Sequence, residues 1–194
     1  TLDAITDIVR RVRPRTPQGM TAKNRARLRQ FDDPAAIAAL LRLPERLARR
    51  AAREADPKRA ARQMEMAVAI ALLIHCPMRI QNLRQLDLRR HLVGRPGGPR
   101  RIVFPADEVK NGRELDYPLT PDLAKLVEQF ASEHRSALNP APGDLLFPQR
   151  RAARPVDRVA LGKAITKSIR DETGLDVNPH LFRHVSAKVL LQAQ

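Results

Sequence analysis

The chain has 194 residues, with 36 Lys and Arg against 21 Asp and Glu, a net charge of +15 and a pI of about 11.4. A hydrophobic fraction of 43% supplies a real core and excludes a disordered basic tail. The lone Cys76 excludes an internal disulfide framework and a Cys-rich zinc module. No apolar run approaches the roughly 18–20 residues of a membrane span, and no secretory signal is present. The composition therefore predicts a soluble, cytoplasmic protein.

Of the 36 cations, 29 are Arg and 7 are Lys. Arg presents a planar fork suited to phosphate, so nucleic acid is the leading partner, although Arg-favouring codons and plain solubility account for the same excess. Aromatic residues are only 3% of the chain, which argues against a single-strand binder that stacks bases on aromatic platforms. Duplex is favoured. The Arg residues are scattered rather than gathered on one amphipathic helix, which argues against a membrane surface.

In chain order, Leu2 to Val9 read as the end of a helix whose body lies upstream, and Arg13-Pro14-Arg15-Thr16-Pro17-Gln18-Gly19 as a linker. Asp33-Pro34 is an N-cap and first-turn pair opening a helix with Ala36, Ile37, Leu40, Leu41 and Leu47 on one face, which Pro44 is expected to break or kink. Asp56-Pro57 opens a second helix, apolar nearly all round from Met66, predicting a buried central element that ends at Cys76-Pro77. Ile80, Leu83 and Leu86 predict a short amphipathic helix.

The period then changes. His91-Leu92-Val93 and Arg101-Ile102-Val103-Phe104 read as strands around a Gly/Pro turn, and Asn111-Gly112 signals a type I′ hairpin between Val109-Lys110 and the segment beginning at Arg113. Three further helices are expected: Pro121 to Leu138, Val156 to Thr173 capped by Gly174, and Pro179 onward. The predicted class is mainly α with a small three-stranded antiparallel sheet.

Four side chains stand at element boundaries. Arg79 follows the break in the central helix, flanked by Met78 and Ile80, and alone reads equally as half of a salt bridge. Lys110 precedes the Asn-Gly turn, where a solvated lysine is the ordinary reading. His180 and Arg183, with His184, fall at i, i+3 and i+4 behind Pro179. A helix start presenting His and Arg suits a phosphate, and a surface pair is the plain alternative. No Asp/Glu cluster reads as a metal site.

Taken in order, Pro77-Met78-Arg79-Ile80-Gln81-Asn82-Leu83, the Lys110 hairpin with Tyr117-Pro118-Leu119, and His180-Leu181-Phe182-Arg183-His184 resemble the catalytic domain of tyrosine recombinases, the phage-type integrases. Two family positions differ: Pro77 stands for a glycine and Asn82 for an acidic residue. The resemblance implies the DNA breaking–rejoining fold over residues 32–194. It implies that residues 1–31 are the end of an upstream DNA-binding domain plus a linker, whose Arg10, Arg11, Arg13 and Arg15 touch the DNA backbone.

It further implies site-specific recombination or integration through a 3′-phosphotyrosyl intermediate, with no metal, no cofactor and no small-molecule substrate. Arg79 and Arg183 would grip the scissile phosphate, Lys110 on a mobile hairpin would protonate the leaving 5′-oxygen, and His180 would assist proton movement, with His184 bracing the helix. The family's nucleophilic tyrosine is expected beyond Arg183, past Gln194. This chain is then a fragment without its nucleophile, inactive alone and monomeric, from a bacterial, phage or mobile-element parent that forms tetramers on synapsed double-stranded DNA. A non-catalytic DNA-binding relative, a type IB topoisomerase-like enzyme, and a basic helical protein that binds RNA remain as alternatives.

Overall fold

The computed structural model describes residues 21–140 and 142–185, so Arg10, Arg11, Arg13 and Arg15 lie outside the described residues. The chain opens on α1 (Ala22–Leu28) and a 3-10 turn over Arg29–Asp32. This segment packs on the body: Phe31 is fully buried, and Gln30 exchanges hydrogen bonds with the backbone of Asp176. Arg27 Nε donates to Asp176 Oδ2 at 2.7 Å.

Two helices form the frame, α2 (Pro34–Ala51) and α3 (Pro57–His75). Each starts as its Asp-Pro pair dictates. The Asp33 carboxylate accepts from the Ala35 N–H and the Asp56 carboxylate from the Arg59 N–H, both at 2.8 Å, and proline occupies the first helical position. Pro44 does not end α2, which runs through it to Ala51. Proline removes one backbone bond, but Pro44 is itself buried among Leu40, Leu43 and Leu47 against α3, and that packing keeps the helix continuous.

The second frame helix, α3, is the central element. Eleven of its residues are buried, from Ala60 to Leu73, and it touches α2 and the helices that follow the sheet. Cys76 caps it with an N–H donated to the Leu72 carbonyl at 2.7 Å, and Pro77 cannot extend it. Two short helices follow, α4 (Ile80–Arg84) and α5 (Leu88–His91).

The three-stranded antiparallel sheet has the order β1 (Leu92–Val93), β2 (Arg100–Phe104), β3 (Leu115–Leu119), with Ile102 opposite Tyr117 and Phe104 opposite Leu115. Period-two alternation sends Ile102 and Phe104 into the core, while Arg101 pairs with Asp116 on the solvent side at 2.6 Å. Gly94 turns β1 into β2 with φ +105°, where an added Cβ would meet the Pro99 carbonyl oxygen at 2.2 Å. Only glycine fits there.

The connection from β2 to β3 is not a type I′ hairpin. Asn111 does not adopt positive φ, and among the described residues only glycines do. The chain instead makes a 3-10 turn at Ala106–Glu108 and then a turn closed by the Gly112 N–H on the Val109 carbonyl at 2.8 Å.

Beyond the sheet, α6 (Pro121–Gln129) passes through a π-helical segment at Phe130–His134 into α7 (Arg135–Leu138). A second hairpin, β4 (Pro148–Gln149) and β5 (Ala152–Pro155), was not foreseen from sequence. Buried Asn139 holds it shut, donating to the carbonyls of Gln149 and Ala152. The last complete helix, α8 (Arg158–Thr173), ends at Gly174 in the left-handed conformation, as the sequence predicts. After it, residues 179–181 form a turn and the next helix begins at residue 182, three residues later than Pro179 suggests. All five phenylalanines are fully buried, so the aromatic content goes into the core.

Candidate functional site

A cleft of about 910 Å³ lies where α4, the Lys110 turn, the start of α8 and the His180 turn meet. Its lining includes Arg79, Lys110 and His180, which the sequence places far apart, together with Asn82, Glu108 and Arg158. Each arrives by a local device. Arg79 is the N-cap residue of α4, in extended backbone behind the fully buried Met78 (1% exposed), which aims its side chain out of the core edge. Lys110 stands exposed on the turn that follows buried Val109.

His180 is presented by a turn that Asn178 organises: the Asn178 side chain accepts from the Leu181 N–H at 3.1 Å. Leu181, Phe182 and Val185 are buried, so His180, Arg183 and His184 all face outward. Arg183 is not part of the cleft lining, yet its charge and that of Arg79 both reach the phenol of Tyr117. Burial pushes the Tyr117 hydroxyl upward, with Cys76 adding to it, and the two guanidiniums oppose that rise. His184 has no ion pair among the described residues, and neither has Lys110, Arg158 or Arg183.

The Lys110 turn is bonded to its surroundings. Arg79 Nη1 donates to Asn111 Oδ1 at 3.3 Å, and Asn82 Nδ2 donates to the Glu108 carbonyl at 3.2 Å. The Glu108 carboxylate takes His91 Nε2 on one oxygen at 2.9 Å and pairs with Arg90 through the other. These bonds join α4, α5 and the turn. Asn82, at the position where an acid was expected, faces a backbone oxygen and not a guanidinium.

Sequence reasoning missed Glu108, His91, Asn111 and Arg158. The available signals were weak: Arg158 follows an Asp at a helix start, and Glu108 lies two residues before Lys110. The site is rich in cations, with Arg79, Arg90, Lys110 and Arg158 against Asp107 and Glu108, and Glu108 already has two partners. What the cleft offers a ligand is unpaired positive charge and hydrogen-bond donors converging on one space. That suits a phosphate. Among the described residues no group of His, Cys, Asp and Glu could hold a metal ion, and no helix is long and apolar enough to cross a membrane.

The model of the Phage integrase family matches residues 44–194. Among solved structures the chain is similar to the crystal structure of XerA recombinase, with a TM-score of 0.52 at 15% sequence identity. The match covers 93% of this chain and 51% of that one, so the chain spans about half the length of the XerA recombinase chain. No curated protein sequence matches.

Proposed function

The chain belongs to the phage integrase family, and on that premise we propose that its cleft handles the scissile phosphate in site-specific recombination of duplex DNA through a 3′-phosphotyrosyl intermediate. Arg79 and Arg183 bind the non-bridging oxygens and neutralise the charge that builds on the pentacoordinate phosphorus. A tyrosine oxygen bonds to phosphorus as the bond to the 5′-oxygen breaks. Lys110 delivers the proton that the departing 5′-oxygen needs, and His180 moves the proton at the attacking side. The phosphoester bond is conserved in the covalent intermediate, so a 5′-hydroxyl from a second strand reverses the step without nucleotide or metal.

The observation that carries this reading is the convergence of Arg79, Lys110 and His180 on one cleft. The attacking phenol comes from outside residues 1–194, because the one tyrosine here, Tyr117, is a half-buried sheet residue. Residues 1–31 join an upstream DNA-clamping domain, with Arg10, Arg11, Arg13 and Arg15 on the DNA backbone. The complete protein works as a tetramer on paired duplex sites.

The test expresses the complete open reading frame and mixes the product with pooled duplex fragments in EDTA. The expected result is an SDS-stable protein–DNA adduct joined through tyrosine to a 3′ phosphate, absent from Arg79→Ala and Arg183→Ala. DNA binding without any adduct would make the protein a non-catalytic relative. A 5′ linkage would overturn the mechanism.

A further inference from the structure

Lys110 has no ion pair among the described residues, so its place in the cleft depends on the backbone that carries it. That backbone is fixed from one side by an unusual anchor. His91 is one of the few buried polar residues among those described, at 2% exposure, and its ring stacks on Phe104 of β2 with centroids 4.1 Å apart. The Asp87 N–H donates to His91 Nδ1 at 2.9 Å. With that nitrogen accepting, the ring proton sits on Nε2 and points at Glu108 Oε2, 2.9 Å away. The imidazole is thereby locked in ring plane, tautomer and direction before it meets the carboxylate.

Glu108 is two residues from Lys110, and the residue between them, Val109, is 4% exposed. Asn82 Nδ2 binds the Glu108 carbonyl, Arg90 takes the second carboxylate oxygen, and Val109 and Gly112 close the turn through their N–H groups to Ala106 and Val109. We propose that Glu108, gripped by His91, is a positioning residue that fixes the turn presenting Lys110 to the cleft. The assignment rests on the reading of Lys110 as the proton donor to the 5′-oxygen. Glu108 touches neither phosphate nor leaving group in this scheme; it acts by removing the freedom of the turn, so that the ammonium is in range when the P–O bond lengthens.

The experiment has two readouts. Amide hydrogen exchange of the full chain compares the unaltered protein with Glu108→Ala and Glu108→Gln. Glu108→Ala is expected to speed exchange at Val109 and Gly112 by at least about tenfold while the amides of β2 and β3 stay within about twofold. Glu108→Gln keeps an acceptor for His91 and should restore most of the protection. Unchanged exchange at Val109 and Gly112 overturns the proposal. So does loss of β2 and β3 protection in step with the turn, which would make Glu108 a general core residue.

The second readout uses the complete open reading frame and a duplex with sulfur in place of the bridging 5′-oxygen at its mapped cleavage position. A thiolate departs without a proton. Glu108→Ala should slow cleavage of the oxygen duplex by about tenfold or more and of the sulfur duplex by less than about threefold. Equal slowing of both overturns the link to Lys110. If the unaltered protein cleaves neither duplex, the recombination reading fails, and exchange at Val109 and Gly112 still decides whether Glu108 holds the turn.

Discussion

Arg79 Nη1 donates to Asn111 Oδ1 at 3.3 Å, so the first guanidinium of the cleft is bonded to the residue that follows Lys110. The bond is long, and an anion arriving in the cleft offers Arg79 a stronger, charge-assisted partner. Arg79 and the turn that carries Lys110 are therefore parts of one connected arrangement.

The first prediction separates binding from chemistry. On the proposed reading, most of the affinity for duplex comes from many backbone phosphate contacts spread over a chain of net charge +15. Removing two of them with Arg79→Ala plus Arg183→Ala should leave the duplex Kd within about fivefold. Adduct formation should fall by at least about a thousandfold, because in the proposed mechanism these groups act on charge that develops only in the transition state. Fluorescence anisotropy and gel-resolved adduct yield measure the two. A collapse of affinity would make the pair an ordinary binding patch.

The second concerns Asn82. It is 2% exposed and its Nδ2 faces the carbonyl oxygen of Glu108 at 3.2 Å. Restoring an acid with Asn82→Asp replaces a donor by a carboxylate aimed at a lone pair in a buried place. The expected cost is about 2–3 kcal/mol, read as a melting temperature lower by about 5–10 °C. A variant as stable as the parent would mean that this hydrogen bond contributes nothing.

Legibility in the sequence tracked how local the determinants are. The helices α2 and α3 announce themselves because Asp-Pro caps and an apolar surface are properties of adjacent residues. Pro44 misled because its local cost is outweighed by packing against another helix. The β4–β5 hairpin was invisible: Arg150-Arg151 carries no turn signal, and the strands close on Asn139 from an earlier helix end. Asn111-Gly112 was read by its dipeptide preference, whereas bonds from Arg79 and Asn82 govern that turn. In the cleft, Arg79, Lys110 and His180 were found from their order along the chain. His91 and Glu108 could not be, since nothing in the sequence says that residues 17 apart across a strand face each other.

A third prediction follows from two carboxyls that fasten the first and last parts of the described chain. The Arg50 hydrogen bond, aided by Arg46, holds Glu172 below its ordinary value. Burial pushes Asp176 up, but hydrogen bonds from Arg27 and Arg170 outweigh it and the net direction is down. A depressed carboxyl adds stability above its unfolded pKa and loses it as pH falls through the folded one. The stability gap between the parent and Glu172→Gln plus Asp176→Asn should therefore be full at pH 7 and close below about pH 4. These pairs are partly solvated, so the gap at pH 7 should not exceed about 1 kcal/mol per carboxyl. Urea midpoints across pH measure it, and a gap that widens in acid would reverse the sign.

The last prediction addresses Tyr117, the sequence's one phenol. Its backbone pairs with Ile102 inside the sheet, and its ring packs against the core. Burial holds its hydroxyl in the protonated form more firmly than water would, with Cys76 adding to this, although Arg183 and Arg79 pull the other way. An attacking group needs the opposite: an exposed oxygen able to lose its proton and swing in line with the bond that breaks. Tyr117 does not line the cleft, and moving its oxygen to a phosphate there would break the register with β2. In the product of the complete open reading frame, Tyr117→Phe should keep adduct yield within about threefold of the parent. Peptide mapping of the adduct provides the second measurement, and the DNA-linked tyrosine should lie outside residues 1–194. A phosphotyrosine mapped to Tyr117, with adducts lost in Tyr117→Phe, would move the nucleophile into the sheet and require β3 to leave it during catalysis.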